Sequence, residues 1–276
     1  MSAPVLNWFD THVHWSAVEF DPDRDEALQR AYAAGVRYCL NPSVSVDDIV
    51  KVRVLSDASA HKNHWPLIFP AYGIHPLCVD QSKPDDLQQL DQWIRTQRPS
   101  AIGEIGLDAY PGAPDMDRQR QLFEVQLDLA VTHQLPVLLH VRHAVELVIQ
   151  SIKRVQAKGK KIPGGIAHAF NGSSAQAEQL IRMGFLLGFG GSSTYGGSTR
   201  IRSLVTQLPL NALVLETDAP DMAPVWLRGQ RNEANQLPLI AQTIAALRGI
   251  SLAELAEATT ANALQLLASR ENGANA

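Results

Sequence analysis

The sequence predicts an α/β fold, a single-domain (β/α)8 barrel of the TIM type. Eight short apolar runs alternate with longer segments that have the apolar spacing of amphipathic helices. The runs are apolar without strict alternation, which is typical of parallel strands buried on both faces. The 276 residues suffice for one such barrel, and no linker divides them. We expect one domain over residues 1–276, with 271–276 as a frayed tail.

The predicted strands are all short and are followed by polar residues. A doubly wound open sheet is the alternative arrangement of the same elements, but no Gly-rich phosphate-binding motif follows the first run. In chain order the runs are Val5–Phe9, Val36–Leu40, Leu67–Tyr72, Ser100–Ile102, Pro136–Leu139, Gly165–Ala167, Phe185–Phe189 and Leu213–Leu215.

The helical segments between these runs carry start and stop signals. Gly35 follows the first segment and is a typical helix stop. Ser45 precedes the second as a candidate N-cap, and Pro84 opens the third at its first turn. In chain order the predicted helices are Asp23–Ala34, Val46–His61, Pro84–Gln97, Met116–His133, Val145–Ala157, Ser174–Met183, Ser198–Gln207, Gln236–Arg248 and Leu252–Ala268.

The composition describes a globular protein without a broad basic surface. Hydrophobic residues make up 45% of the chain, charged residues 19%, and the formal net charge is −4. Contact with nucleic acid would therefore rest on a few arginines and metal ions. Cys39 and Cys78 are the only cysteines, which predicts a reducing compartment. We expect a cytoplasmic protein with no membrane contact and no obligate protein partner, because neither a signal peptide nor a long apolar run is present.

Metal-binding side chains stand at the ends of five predicted strands. In a parallel barrel these ends share one face, where active sites lie. Histidine and carboxylate ligands without thiolates suit Mg²⁺, Mn²⁺ or Zn²⁺. Because six candidates exceed what one ion needs, we predict two divalent ions per chain, with Glu104 as the bridge and Asp218 as both ligand and proton acceptor. The candidate ligands are His12, His14, Glu104, His140, His168 and Asp218.

Other polar residues near these strand ends have more than one possible role. We predict that His75 contacts substrate, with packing against the next residue as the alternative. Arg142 suits a phosphate oxygen or a carboxylate, or a structural ion pair. Glu216 is a candidate support for the ligands, Asp108 a helix cap or loop brace, and the Gly-Ser segment 188–193 an anion cradle or a turn. The histidines predicted to be structural or solvated are His61, His64 and His133.

Seven motifs resemble those of the TatD family of metal-dependent hydrolases, within the amidohydrolase-like superfamily. They occur in the family's order over nearly the whole chain, so the resemblance is specific. The motifs are Phe9-Asp10-Thr11-His12-Val13-His14, Gly73-Ile74-His75-Pro76, Ala101-Ile102-Gly103-Glu104-Ile105-Gly106-Leu107-Asp108, Pro136-Val137-Leu138-Leu139-His140-Val141-Arg142, His168-Ala169-Phe170-Asn171-Gly172, Leu215-Glu216-Thr217-Asp218-Ala219-Pro220 and Thr260-Ala261-Asn262-Ala263.

This resemblance implies a TIM-like barrel, a binuclear divalent-metal site and hydrolysis of phosphodiester bonds. Many members of the family are metal-dependent deoxyribonucleases, often 3′→5′ exonucleases, so DNA ends or a small phosphoester are the implied substrates. The six candidate ligands would hold the metals, and His75 and Arg142 would contact substrate. Two positions depart from the family pattern. Ala234 stands where proline usually follows Arg-Asn-Glu, and Asn171 stands where threonine or serine is frequent.

Two other functions remain open on the sequence. An amidohydrolase-like enzyme would use the same residues to cleave an amide, a lactone or a small phosphoester, and the acidic balance of the chain is compatible with it. Many such binuclear enzymes have a carboxylated lysine at the fourth strand. This sequence has Glu104 there and no lysine nearby, which favours the phosphodiesterase. A metal-binding protein without catalysis is disfavoured, because the ligand set includes a candidate base, Asp218.

Overall fold

The computed structural model describes residues 6–268 of the chain. All eight predicted strands are present, and they form one sheet in chain order. The strands are β1 (Trp8–Asp10), β2 (Val36–Pro42), β3 (Leu67–Tyr72), β4 (Ala101–Gly106), β5 (Val137–His140), β6 (Gly165–Ala167), β7 (Phe185–Phe189) and β8 (Leu213–Leu215).

Within the described residues, nine α-helices occupy the nine predicted helical segments. The first ends at Ala33, one residue before its predicted end, and Gly35 follows the C-cap residue with a φ of 97°, a backbone angle that glycine adopts readily. The helices are α1 (Arg24–Ala33), α2 (Ile49–Ser59), α3 (Asp86–Gln97), α4 (Met116–His133), α5 (Val145–Ala157), α6 (Ser174–Arg182), α7 (Thr199–Gln207), α8 (Leu237–Arg248) and α9 (Leu252–Ala268).

Two helices begin two or three residues later than predicted, because aspartate side chains form turns ahead of them. Before α2, the carboxylate of Asp48 accepts a hydrogen bond from the N–H of Val44 at 3.2 Å. Before α3, the carboxylate of Asp86 accepts one from the N–H of Lys83 at 2.9 Å. Such side-chain bonds compete with helical ones. The prediction that Pro84 lies in the first turn of α3 is therefore wrong, although the helix itself is confirmed.

Backbone hydrogen bonds join the first strand to the last. The N–H of Thr11 donates to the carbonyl of Leu215 at 3.0 Å, and Val13 and Ala219 form a parallel bridge just beyond the two strands. Each strand pairs with its neighbour in chain order, and β8 meets β1. This is the strand order of a closed parallel sheet with intervening helices. The predicted α/β class and (β/α)8 barrel are confirmed.

The described chain separates into two compact units, each with its own apolar interior. In the first, the buried rings of Trp15 and Phe20 lie 4.9 Å apart between centroids. In the second, α5 buries Val148, Ile152 and Val155, which recur at helical spacing. The single-domain assignment stays a prediction, and the predicted tail at 271–276 lies outside the described residues. The first unit comprises 6–41, 54–69 and 188–264, and the second 42–53, 70–187 and 265–268.

By length and hydropathy, none of the described helices could cross a membrane alone. The segments 234–248 and 252–268 meet this test only as a pair, with a bend of 109° between them.

Candidate metal centre

Three side chains of the first unit, here called the first ligand group, converge beyond the carboxyl ends of β1 and β8. The Nε2 atoms of His12 and His14 are 3.1 Å apart. Oδ1 of Asp218 lies 3.4 Å from Nε2 of His12 and 3.6 Å from Nε2 of His14. The side chain of His12 is fully buried, whereas those of His14 and Asp218 are 16% and 14% exposed. The group is therefore closed on one side and reachable by water on the other.

The backbone positions this group by extending the pairing of β1 with β8. The N–H of Asp218 donates to the carbonyl of His12, and the N–H of His14 donates to the carbonyl of Ala219, both at 2.8 Å. Asp218 has a positive φ of 56°, which aspartate tolerates better than most residues. Because these bonds continue the sheet, the three side chains are held by regular structure rather than by a free loop.

Asp10, the last residue of β1, supports the first ligand group from within. Its buried carboxylate accepts hydrogen bonds from the N–H and the hydroxyl of Thr217, at 3.0 and 2.6 Å, and from the N–H of His12 at 3.3 Å. Burial raises the pKa of Asp10 to about 8, although the bonds from Thr217 and His12 act to lower it. No role for Asp10 was predicted from the sequence. A charged side chain ending an apolar strand was the signal available.

Three side chains of the second unit form a second ligand group around Glu104. Oε1 of Glu104 lies 2.8 Å from Nδ1 of His140 and 3.3 Å from Nε2 of His168. Glu104 and His168 are buried, and the side chain of His140 is 13% exposed. One carboxylate oxygen thus faces two imidazole nitrogens away from bulk water.

Glu104 lies inside β4, whereas the sequence analysis ended this strand at Ile102. The strand continues to Gly106, which pairs with His140 of β5. A Cβ at Gly106 would stand 2.1 Å from the carbonyl oxygen of His140, and the φ of this glycine is +142°. Only glycine permits this close approach. The extension brings Glu104 level with the end of β5, where its carboxylate meets His140.

His75 lies directly against the second ligand group. Its Nε2 is 3.1 Å from Nδ1 of His140 and 3.5 Å from Oε1 of Glu104. Its Nδ1 accepts a hydrogen bond from the N–H of Leu77 at 3.1 Å and so caps a 3-10 turn that begins at Pro76. One ring nitrogen therefore serves the following turn and the other faces the second ligand group, and the substrate contact of His75 stays a prediction.

Asp108 is a buried partner of His140. Its Oδ2 lies 3.0 Å from Nε2 of His140, and its Oδ1 accepts the N–H of Tyr110 at 2.8 Å. The second bond is the predicted loop brace, but the first was missed. Burial acts to raise the pKa of Asp108, yet the bonds from His140 and Tyr110 lower it overall. Burial likewise acts to lower the pKa of His140, and its bonds to Asp108 and Glu104 raise it overall.

Arg142 lies next to this carboxylate and is half exposed. Its Nη1 is 3.9 Å from Oδ2 of Asp108, and 47% of its side chain is accessible to solvent. The guanidinium carbon stands 3.7 Å from the ring centroid of Tyr110, and the ring of His143 lies 5.7 Å from the same centroid. Arg142 therefore combines a weak ion pair with a cation–π contact, and part of its guanidinium remains open to solvent.

Glu216 is buried between β8 and the glycines of β7. A Cβ at Gly188 would stand 2.0 Å from Oε2 of Glu216, and one at Gly190 would stand 2.6 Å from its carbonyl oxygen. The hydroxyl of Ser193 donates to the carbonyl of Gly190 at 2.7 Å. The Gly-Ser segment 188–193 therefore contains a turn, which was one of the two structures predicted for it. Its glycines leave room for the carboxylate of Glu216.

The long loop after β8 is fixed by a buried amide. Nδ2 of Asn232 donates to the carbonyl of Thr217 at 2.9 Å and to that of Asp221 at 2.8 Å. Asn232 is fully buried, as is Ala234, which stands where the family pattern has proline. Asn171, the other departure, is exposed. Asn232 therefore joins both sides of the turn that follows Asp218.

Four charged side chains fasten the same loop to α1. Arg231 donates two hydrogen bonds to Asp23, at 2.6 and 2.8 Å, and one to Glu233 at 2.6 Å. Arg30 bonds to Asp23 at 2.7 Å and to Glu233 at 2.9 Å. Bonds from Arg231 and Arg30 hold the pKa of Asp23 well below its usual value. Burial acts to raise the pKa of Glu233, yet the bonds from Arg30 and Arg231 lower it overall. Arg231 is thus committed to ion pairs within the protein.

The donor chemistry of both regions fits a divalent cation. In the first ligand group, three donor atoms lie within 4.8 Å of one another, and the same holds for His75, Glu104 and His140 in the second unit. Nitrogen and carboxylate donors at such spacing are those that Zn²⁺ takes in proteins, and carboxylates also suit Mg²⁺ and Mn²⁺. The structure therefore places His12, His14 and Asp218 in one such group, and Glu104 and His140 in another that also contains His75. His168 adjoins the second group, with its Nε2 3.3 Å from Oε1 of Glu104.

Comparison with known proteins gives a consistent assignment. The family model described as TatD related DNase matches residues 9–268. The "uncharacterized metal-dependent hydrolase YjjV" of Escherichia coli (strain K12) is 34% identical over 265 residues, which cover 95% of this chain and 98% of that protein. The "deoxyribonuclease TATDN3" of Homo sapiens is 32% identical over 280 residues and covers 96% of both.

Solved structures agree with the family match. The crystal structure of the E. coli YjjV protein, described as a TatD homologue, superposes with a TM-score of 0.87 at 33% identity, over 95% of this chain and 98% of that one. A TatD-family hydrolase from Entamoeba histolytica has the same fold, with a TM-score of 0.81 at 20% identity, over 96% and 99% of the two chains. With its motifs, its barrel and these relatives in agreement, the chain belongs to the TatD family of metal-dependent hydrolases.

Proposed function

We propose that this hydrolase is a phosphodiesterase that removes nucleotides from DNA ends in the 3′→5′ direction. The observation that carries the proposal is the presence of two groups of nitrogen and oxygen ligands at strand ends. Sites with two metal ions are typical of phosphatases, polymerases and nucleases, where both the attacking and the leaving oxygen need stabilisation. The family description as DNase and the name of the human relative support DNA as the substrate.

The proposed centre contains two ions, of Mg²⁺, Mn²⁺ or Zn²⁺. The first ligand group would hold one ion, and His140 and His168 would hold the other, with Glu104 shared between them. Bound ions would supply positive charge to the phosphate oxygens and would lower the pKa of coordinated water. The six proposed ligands are His12, His14, Glu104, His140, His168 and Asp218.

Asp218 is proposed as the acceptor of the proton from the attacking water. Its side chain is 14% exposed, so water can reach it, and its Oδ1 lies 3.4 and 3.6 Å from the Nε2 atoms of His12 and His14. The side chain of Glu104 is only 2% exposed, which suits a ligand more than a base that exchanges protons with solvent. The difference in exposure therefore suits Asp218 to accept a proton and Glu104 to bind metal.

The hydrogen bonds of His75 support its proposed contact with substrate. A backbone N–H can only donate, so Nδ1 of His75 is the acceptor in its bond with Leu77. The neutral ring then carries its proton on Nε2, and this atom offers a hydrogen rather than a lone pair. Such a donor suits an oxygen of the scissile phosphate better than it suits a cation. Arg142, with part of its guanidinium exposed, is proposed to bind a phosphate oxygen as well.

Cleavage of an amide, a lactone or a small phosphoester is the second candidate. The observation in its favour is the net charge of −4, because a protein that follows DNA usually carries a positive surface. Against it, β4 supplies Glu104 as the candidate bridge, and no lysine lies on this strand. Both candidates use the same ligands, so the substrate decides between them.

A panel of substrates tests the proposal. Single strands labelled at either end are incubated with the protein and Mg²⁺ or Mn²⁺, in parallel with lactones, amides and small phosphoesters. We expect stepwise shortening from the 3′ end, and the Asp218→Asn variant should bind metal but turn over at least about 100-fold more slowly. Intact strands together with cleavage of a lactone or amide would replace the proposal with the second candidate. Near-normal turnover by metal-loaded Asp218→Asn would reject Asp218 as the base.

We also propose that the protein works in the cytoplasm. Cys39 and Cys78 are free thiols, which fits a reducing compartment. Fractionation of cells that express a tagged full-length chain tests this, and recovery outside the cytoplasmic fraction would reject it.

A further inference from the structure

We propose that Tyr110 and Arg142 form a subsite for one nucleotide of the substrate. The ring of Tyr110 stacks on the base, and the guanidinium of Arg142 binds the adjoining phosphate. This inference rests on the proposed action on DNA, and it adds which part of the polymer the protein recognises. It predicts that the substrate must present an unpaired base as well as a phosphodiester.

The ring of Tyr110 is exposed but attached to a fixed backbone. It lies in the loop after β4 and is 46% exposed, which is high for a large aromatic residue. Its N–H is bonded to the buried carboxylate of Asp108 at 2.8 Å, so the loop is anchored at this residue. An aromatic ring with few rotatable bonds on a fixed backbone loses little entropy when a base stacks on it. These are the properties of a stacking platform.

Arg142 is arranged to bind an anion beside this ring. Its guanidinium lies 3.7 Å from the centroid of Tyr110, and its nearest carboxylate oxygen, from Asp108, is 3.9 Å away. At that distance the ion pair is weak, and no shorter bond of Arg142 to an acidic side chain is found within the described residues. Several of its N–H groups are therefore available to a phosphate, which arginine can bind through two bonds at once.

The same carboxylate connects this subsite to the candidate metal centre. Oδ2 of Asp108 contacts Nε2 of His140, and Oδ1 holds the N–H of Tyr110. A nucleotide bound on Tyr110 and Arg142 would thus lie one side chain away from a proposed metal ligand. This placement suits a nucleotide next to the scissile bond rather than a distant part of the DNA.

A second arginine–tyrosine stack in the chain provides a matched control. Arg37 lies 4.1 Å from the ring centroid of Tyr32 and donates a hydrogen bond to the carbonyl of that residue. Tyr32 lies in the last turn of α1, and Arg37 is the second residue of β2, at the amino end of that strand. In barrels that end serves stability rather than catalysis. Replacing Tyr32 therefore removes the same kind of stack without touching the proposed subsite.

The experiment compares two labelled oligonucleotides that differ only in whether the 3′-terminal nucleotide carries a base or is abasic. Wild-type protein should show a KM at least about fivefold lower for the strand with the base, as expected for one stacked base. In Tyr110→Leu this difference should disappear, because the KM for the strand with the base should rise toward that for the abasic strand. Tyr110→Phe should keep the difference, and so should Tyr32→Leu.

Three results would overturn the subsite: equal KM values for the two strands with wild-type protein, a preserved difference in Tyr110→Leu, or an equal loss in Tyr32→Leu. If wild-type protein cleaves no DNA, the proposed function fails separately. Fluorescence anisotropy with a labelled trinucleotide in Ca²⁺ then decides the subsite. Weaker binding by Tyr110→Leu than by Tyr32→Leu supports it, and equal binding rejects it.

Discussion

Nε2 of His140 lies 3.0 Å from Oδ2 of Asp108, while Nδ1 of the same ring lies 2.8 Å from Oε1 of Glu104. The lowered pKa of Asp108 means that it is ionised near neutral pH and accepts a hydrogen from Nε2. With Nε2 engaged by Asp108, only Nδ1 of His140 is left to bind a cation, and this atom faces Glu104. Asp108 therefore determines which nitrogen of His140 is able to bind a cation.

Replacing this carboxylate should weaken metal binding. In Asp108→Asn the neutral amide cannot form a charged hydrogen bond with Nε2 of His140, so it holds the imidazole ring less firmly. We expect metal affinity and turnover to fall by about 10- to 100-fold, as for other supporting carboxylates of metal-binding histidines. Isothermal titration calorimetry with Mn²⁺ and steady-state rates measure the two effects.

The control for this variant is a second histidine–aspartate pair. Nε2 of His133 lies 2.7 Å from Oδ1 of Asp91, and these residues belong to the helices α4 and α3 rather than to strand ends. Asp91→Asn should leave metal affinity unchanged. Wild-type affinity in Asp108→Asn would contradict the assigned role of Asp108.

Removing one ligand of the first group should remove one ion. Wild-type protein incubated with Mn²⁺ or Zn²⁺ and then desalted should retain about two ions per chain. His14→Gln should retain about one, because His12 and Asp218 alone make a weak site. Elemental analysis by mass spectrometry gives both numbers. His64→Gln, on an exposed histidine beside Tyr32, is the control. Less than one ion per wild-type chain would refute the two-ion centre.

A single methyl group at Gly188 should disturb Glu216. Its carbon would stand 2.0 Å from Oε2, so either the carboxylate or β7 has to move. We expect Gly188→Ala to lower the free energy of unfolding by about 1–3 kcal/mol, as overpacking usually does. Chemical denaturation measures this. Gly196→Ala is the matched control, since a Cβ there meets no atom within 4 Å. Equal stability of the two variants would show that Glu216 relocates freely.

The charged network around Arg231 should make stability depend on pH. The folded-state pKa values of Asp23 and Glu233 are lowered from their usual 3.8 and 4.5. Their contribution is therefore complete above about pH 5 and is lost as pH falls below these values. Arg231→Met should unfold at a lower temperature than wild type at pH 7, and the difference should shrink below about pH 4. Calorimetry at both pH values measures it.

An exposed ion pair serves as the comparison. Arg182 and Glu178 of α6 are 3.5 Å apart, with side chains 68% and 63% exposed. Arg182→Met should change the unfolding temperature little at either pH. A difference for Arg231→Met that stays constant from pH 7 to pH 3 would show that its ion pairs do not contribute through charge.

Local sequence patterns were sufficient to predict the fold and to indicate candidate metal ligands at the strand ends. Alternation of apolar runs with helical segments is a short-range property, and it specified eight strands in the observed order. The strand ends then indicated His12, His140 and Asp218, because a parallel barrel places all such ends on one face. Predicted and observed bounds agree for β3, β6, β7 and β8.

Contacts between residues far apart in the sequence could not be predicted from these local patterns. The bond from Thr217 to Asp10 joins residues 207 positions apart, and nothing local indicates it. The pairing of Asp108 with His140 likewise depends on how β4 and β5 align. The extension of β4 through Glu104 depends on glycines that let the strand approach β5 closely. The need for glycine at these positions is apparent only once β5 is in place beside them. Each of these is set by tertiary packing rather than by propensity.

The two ligand groups also differ in when a growing chain can assemble them. The brace of the first group closes a span of 207 residues, whereas His75 and His140 of the second unit are 65 apart. Longer closures cost more chain entropy and form more slowly. During synthesis the second group can therefore form while β8 is still unmade. The first group, with the proposed base Asp218, is completed only when nearly the whole chain has emerged, so partial chains would lack one half of the proposed centre and its proton acceptor.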